Sequence, residues 1–177
     1  MFEVTIRPAT DADVPALVAL VSSAYRGDES RAGWTTEADL LDDQRIDDTG
    51  VLEKIAEPTT TVLVAVAADG ALVACCEVRL DPAGSGYFGL FAVRPRLQGA
   101  GLGRRVLDAA EQHAARHGRV SMEMTVIAQR TDLMAWYERR GYRLTGETRP
   151  FPSGVTVHDV ASTGVLHFVV LEKSLTH

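Results

Sequence analysis

The sequence predicts an α/β (α+β) fold, a mixed central sheet of about seven strands with helices packed on it. Three observations carry that expectation. A hairpin is centred on Asp69-Gly70, a two-residue turn signal between two apolar runs. Two helix-period segments, 101–116 and 131–140, alternate with strand-like runs later in the chain. The run 87–93 is almost wholly apolar, the pattern of a central strand covered on both faces.

The elements follow in order. Residues 4–8 read as an opening strand. Thr10 or Asp11 caps a helix to about Ala24, with Val14, Leu17, Val18 and Val21 on one side. Residues 25–34 form a polar loop with Gly27 and Gly33. Thr35 or Thr36 caps a short helix through Leu41, 47–50 is loop, and 51–57 is a short helix. Strands over 61–67 and 72–80 flank the Asp69-Gly70 turn, and 81–86 turns the chain into the strand at 87–93. The helix from about Gly101 carries Val106, Leu107, Ala110 and Ala114 on one side and stops at Gly118. Residues 120–126 are a strand, 131–140 a helix ended by Gly141, and 142–148 a strand. An uneven loop over 149–164 leads to a last strand at 165–171. No repeat or low-complexity linker divides the chain, so one domain over 1–177 is expected.

Composition narrows the function. The net charge is −6, from 18 basic and 24 acidic side chains, which argues against general nucleic-acid binding. No apolar run is long enough for a spanning helix, and the first residues lack the basic-then-apolar pattern of a signal peptide, so no membrane partner is expected. Cys75 and Cys76 are adjacent in a strand and point to opposite faces, which makes a disulfide between them implausible. No further cysteine supports a metal knuckle; no metal is expected, and a reducing, cytoplasmic setting is the default.

Against that acidic background, Arg94, Arg96, Arg104 and Arg105 cluster around three alternating glycines, Gly99, Gly101 and Gly103. The glycines lie between a buried strand and an amphipathic helix. Glycine lets a ligand approach the main chain, and a helix start offers unpaired N–H groups with partial positive charge, a natural phosphate site. A tight turn without a ligand is the plain alternative. A Rossmann dinucleotide loop would place a glycine where Arg104 stands and would follow the first strand; Glu123 could imitate its ribose acid but sits inside a strand. A nucleoside-triphosphate loop would need a lysine that is missing.

The segment Val93-Arg94-Pro95-Arg96-Leu97-Gln98-Gly99-Ala100-Gly101-Leu102-Gly103-Arg104 resembles the acyl-CoA signature of the GNAT superfamily, Q/R-x-x-G-x-G/A, with Gln98, Gly101 and Gly103 in its fixed positions. Ala135-Trp136-Tyr137-Glu138-Arg139-Arg140-Gly141-Tyr142 resembles that superfamily's aromatic-Tyr-x-x-x-Gly-aromatic ending, and Tyr137 lies 34 residues beyond Gly103 (137 − 103). The resemblance extends to the element order and implies a mostly antiparallel sheet and transfer of an acetyl group from acetyl-CoA to a primary amine. It implies that Gln98, Gly99, Ala100, Gly101, Leu102, Gly103 and Arg104 bind the pyrophosphate, and that Phe91, Ala92 and Val93 run beside the pantetheine arm, Val93 offering an N–H to the oxyanion. Tyr137 would protonate the leaving thiolate, a fitting task for a phenol of pKa near 10. Where the superfamily often has asparagine, seven residues before that tyrosine, this chain has Arg130, which could reach the cofactor, hold an acidic acceptor, or simply precede a helix at the surface.

A base must deprotonate the amine. Glu77 and Glu123 lie in central strands, where a carboxylate needs a reason, and His167 is a third candidate. Glu77 and Arg79 share a strand face, so an ion pair between them is the simple alternative. The glycine-hinged stretch holding Tyr25, Arg26 and Trp34 corresponds to the region that covers the acceptor in the superfamily, which points to a small polar amine. A monomer or homodimer is expected. The rival functions are a non-catalytic acyl-CoA sensor, which would not need Tyr137, and, more weakly, a nicotinamide-binding enzyme.

Overall fold

The computed structural model describes residues 3–25, 47–150 and 167–176. Arg26, Trp34, the short helix expected from Thr35 or Thr36 and most of the loop after Arg149 lie outside the described residues, as does the side chain of Tyr25.

Seven strands form one sheet: β1 (Val4–Pro8), β2 (Thr60–Ala67), β3 (Leu72–Leu80), β4 (Ser85–Val93), β5 (Ser121–Ile127), β6 (Arg143–Pro150) and β7 (His167–Ser174). Their order is β1-β2-β3-β4-β5-β7-β6. Every neighbouring pair is antiparallel except β4 and β5. Four α-helices lie among the described residues: α1 (Val14–Tyr25), α2 (Asp48–Ala56), α3 (Leu102–Arg116) and α4 (Thr131–Glu138).

Local chemistry explains most boundaries. A 3₁₀ turn at Asp11–Asp13 leads into α1. Thr10 and Asp13 form a capping box there, and Arg7 grips the Asp13 carboxylate through two bonds of 2.8 and 3.0 Å. Helix α2 starts earlier than periodicity suggests, because the Asp47 side chain accepts the Gly50 N–H at 2.8 Å; the stretch expected to be loop is the cap and first turn. Ser85 and Gly86, expected in a turn, belong to β4, and β7 runs to Ser174 rather than ending near Leu171.

The sheet separates two cores. Helix α3 packs Val106, Leu107, Ala110 and Ala114 on one face with Phe88, Met122, Met124 and Tyr137. On the other face α1 and α2 bury Leu17, Val21 and Val51 against Val62, Val64, Cys75 and Leu90. Cys75 and Cys76 therefore enter opposite cores as thiols, and the Cys75 Sγ donates to the Leu90 carbonyl at 3.3 Å. Burial pushes the Cys76 thiol well up, the reverse of what a nucleophile needs.

Strand β4 is irregular where it matters. Cys75 pairs with Ala92 and Glu77 with Gly89, so Leu90 and Phe91 together oppose Cys76, the arrangement of a β-bulge. Leu90 has φ +48, a left-handed conformation for a branched side chain. Parallel pairing with β5 covers only Ser85, Gly86 and Tyr87 against Ser121, Met122 and Glu123. Beyond that point the facing edges of the two strands are unpaired, at the centre of the sheet.

Candidate active site

A cleft of about 580 Å³ lies at the end of β4 between α3 and α4. Phe91 and Val93 come from β4, Gln98, Gly99, Gly101, Gly103 and Arg104 from the loop and first turn of α3, and Leu133, Trp136, Arg139 and Arg140 from α4 and its exit. Seven of the residues expected from the glycine loop and the end of β4 are thus brought together, whereas Ala92 and Leu102 are buried in the two cores and Ala100 does not line the cleft.

The three glycines do different work. Gly99 and Gly101 have φ +87 and +81, and a Cβ on either would meet nothing within 4 Å. They are glycines because of backbone conformation, and their surroundings are open for a ligand. Gly103 has no positive φ; a Cβ there would sit 3.1 Å from Phe91 Cζ and 3.5 Å from Trp136 Cζ2. Its smallness lets α3 pack on the aromatic pair. Gly101 is the N-cap of α3 and supplies no side-chain cap, so the first-turn N–H groups face outward with the positive end of a 15-residue helix. The Gln98 side chain donates to the Val93 carbonyl at 3.1 Å and ties the loop to β4.

Of the four clustered arginines, Arg104 alone lines this cleft. Arg105 donates to the Val4 carbonyl, Arg94 to the Leu72 carbonyl, and Arg96 lines a separate cavity with Arg94. The further positive charge comes from Arg139 and Arg140, which sequence reasoning missed. Arg140 lies 3.6 Å above the Trp136 ring and donates to the Trp136 carbonyl at 2.7 Å. Burial, reinforced by Arg139 and Arg104, lowers its pKa. The spacing of Leu133, Trp136 and Arg140 by three and four residues was the available signal that one side of α4 faces the loop.

Tyr137 is 4% exposed and stands behind the cleft wall, its ring centroid 6.4 Å from Phe91, 5.1 Å from Trp136 and 5.9 Å from Tyr142. Tyr142 donates to Glu111 at 2.9 Å, and burial with the Glu111 charge pushes its phenol far up. Tyr142 is therefore a structural anchor, and Tyr137 is the phenol placed beside β4.

Across the sheet, on the α1 and α2 side, Glu77 is 5% exposed and its carboxylate receives Lys54 Nζ at 2.6 Å. The ion pair is not with Arg79, the simple alternative: Arg79 lies 4.4 Å over the Tyr87 ring, and α2, whose cap the sequence hid, delivers Lys54. Glu77 Oε1 lies 2.7 Å from where a Gly89 Cβ would be, so the acid presses on β4 next to the bulge. Tyr87 and Thr125 share a 2.9 Å hydrogen bond across the mouth of the β4–β5 opening. Glu123 is half-buried and bound by Arg149 at 2.9 Å. His167 begins β7 opposite Pro150, its carbonyl accepting from Ala128 N–H, and is not brought to Glu77. Arg130, expected at the cofactor, on an acidic acceptor or at the surface, is buried at the N-cap of α4 with Asp132 3.3 Å from its Nε. It is not among the residues lining the cleft.

Among the described residues no cluster of three potential metal ligands occurs, and no helix is long and apolar enough to cross a membrane.

The fold has many solved counterparts. Ard1 from Thermoplasma volcanium superposes with a TM-score of 0.73 at 16% identity, covering 98% of this chain and 99% of that one. The ribosomal-protein-S18-alanine N-acetyltransferase from Escherichia coli gives 0.71 at 15%, covering 99% and 96%. The yncA structure from Salmonella typhimurium, which contains its cofactor acetyl-CoA, gives 0.70 at 21%, covering 99% and 95%. At such identities the likeness establishes the fold. No curated protein sequence matches the chain significantly. The family model described as "Acetyltransferase (GNAT) family" matches residues 17–142, spanning the glycine loop, the β4 opening and the Tyr137–Tyr142 ending, and the chain belongs to that family.

Proposed function

We propose that the protein is an acetyl-CoA-dependent N-acetyltransferase acting on a primary amine, with the whole chain, 1–177, forming one such domain. The observation that carries the reading is the continuity of the glycine-loop cleft with the unpaired edge of β4. The loop N–H groups and Arg104 suit a pyrophosphate, and the cleft walls of Phe91, Val93, Leu133 and Trp136 suit a neutral arm leading inward.

In this reading the free edge of β4, from Phe91 through Ala92 to Val93, pairs with the amides of the donor as an added strand would. The amine nitrogen attacks the thioester carbonyl carbon, a backbone N–H at Val93 steadies the oxyanion, and the carbon–sulfur bond breaks. Tyr137 gives its phenolic proton to the departing thiolate. The proton lost by the amine passes to Glu77 or Glu123, directly or through water. Both carboxylates carry an ion pair, Glu77 with Lys54 and Glu123 with Arg149, and Glu77 has the stronger claim by position, because it lies against β4 at Gly89. No step passes through Cys75 or Cys76, and the two substrates react in a ternary complex.

Thiol release measured with acetyl-CoA and a broad amine panel tests the proposal. Turnover with at least one amine, lost with loop variants, is the expected result. Tight acetyl-CoA binding without turnover of any amine would favour a non-catalytic acyl-CoA sensor instead.

A further inference from the structure

We infer that Arg130 receives a carboxylate of the acceptor, so that the acceptor class is an amine that also carries an acid group; the assignment rests on the acyl-transfer reading above. Glu77 and Arg130 are the two charged side chains buried among the described residues. Glu77 is matched by Lys54. Arg130 is not matched: only its Nε has a carboxylate near, at 3.3 Å and on the half-exposed Asp132, while buried Nη1 and Nη2 have no hydrogen-bond partner. A buried guanidinium with two idle donor groups destabilises a fold. Its retention calls for an anion that arrives with a ligand.

Position identifies which ligand. Arg140, Trp136 and Leu133 line the cleft, and Arg130, which does not line it, sits at the N-cap of α4 three residues before Leu133. At 1.5 Å per residue the eight residues of α4 span about 12 Å, with Arg130 at one end and Arg140 beyond the other. The arginine end, beside the glycine loop, suits phosphates, and the apolar middle suits the neutral arm. Arg130 thus stands toward the end where acyl group and amine meet. The amide and thioester carbonyls that reach that end are neutral and leave the guanidinium charge unmatched. A carboxylate matches it and fits two oxygens to the two idle nitrogens, and the N-terminus of α4 adds a favourable field. Both nitrogens are closed to solvent, so the acid reaches them by displacing the side chains that cover them.

The test compares wild type with Arg130→Gln and Arg130→Met, each saturated with CoA and titrated calorimetrically with L-amino acids and their α-amides. Wild type is expected to bind at least one amino acid tenfold or more tightly than its amide, and Arg130→Gln to erase that preference. Arg130→Met is expected to raise Tm by a few degrees as the unmatched charge is removed. The assignment is overturned if wild type prefers no acid over its amide, if the preference survives in Arg130→Gln, or if both variants lower Tm, which would make Arg130 a structural residue. A fall in kcat common to acids and amides, with KM unchanged, would place Arg130 on the thioester oxyanion and overturn it as well. Absence of CoA binding in all three proteins would instead sink the acyl-transfer reading, and this assignment with it.

Discussion

Replacing Gly101 by valine separates a phosphate cradle from a mere turn. Gly101 has φ +81, and a Cβ there would have nothing within 4 Å, so the Cβ of a valine meets no neighbouring group. The cost is backbone strain, about 1–2 kcal/mol for a non-glycine residue in the left-handed region. For a chain of this size each kcal/mol moves Tm by roughly 2–4 °C. Cooperative unfolding should persist with Tm lowered by about 2–8 °C. Binding should suffer more, because relieving the strain turns the N–H groups at the start of α3 away from the cleft. A hydrogen bond to a charged group contributes about 1.5–3 kcal/mol, so losing one weakens affinity roughly 10- to 150-fold. Calorimetric titration with acetyl-CoA beside thermal unfolding reads both effects. Wild-type affinity in Gly101→Val, at a lowered Tm, would refute the cradle and leave the loop as a turn.

Three further outcomes are expected. Tyr137→Phe keeps the aromatic packing and acetyl-CoA affinity but lowers turnover tenfold or more, general-acid contributions running up to roughly 10²–10⁴; an unchanged kcat would remove Tyr137 from the chemistry. Arg104→Ala weakens CoA binding by a factor that shrinks as salt rises, since Arg104 is 70% exposed, whereas the loss in Arg140→Ala, stacked on Trp136, varies less with salt; titrations at low and high ionic strength compare them. Arg7 holds the Asp13 carboxyl at about 2, below its ordinary 3.8, so the pair's stabilisation is complete above pH 4 and is lost as pH falls toward 2. With solvent screening that amounts to about 1 kcal/mol, and Asp13→Asn should show the same loss at pH 7 and a flatter acid limb in urea titrations.

Short-range signals were legible in the sequence because they are local. The Asp69-Gly70 hairpin, the glycine loop and the stop at Gly141 all act within a few residues, and the structure has them where periodicity and turn chemistry put them. Contacts made across the fold were not legible. Lys54 reaches Glu77 over 23 residues of separation, and that pair depends on α2 starting at a cap formed by Asp47, within a stretch that reads as loop. Arg139 and Arg140 look like ordinary helix-end cations until α4 is laid beside α3. The reason for Gly103 was also hidden, because it depends on where Phe91 and Trp136 meet.

The least legible feature is the one on which the proposed reaction depends. Nothing in Gly89-Leu90-Phe91 announces a bulge, and Leu90 is a poor choice for φ +48. A left-handed leucine costs about 1–2 kcal/mol, so the surrounding packing has to hold it. It does so on both sides: Leu90 turns into the α1 core while Phe91 turns to Phe88 and Trp136 on the α3 side. The extra residue shifts the alternation of β4, so Phe88 and Phe91, three residues apart, both enter the α3 core, where regular alternation would put them on opposite faces. Pairing with β5 stops just before this point, leaving the donor-side cleft on one face and Glu77, Tyr87 and Thr125 on the other. An acyl donor lying in the cleft would bring its thioester to this gap, with Glu77 on the opposite face to take a proton from the amine. That arrangement supports direct attack over a covalent relay, since Cys75 and Cys76 are each buried in a separate core.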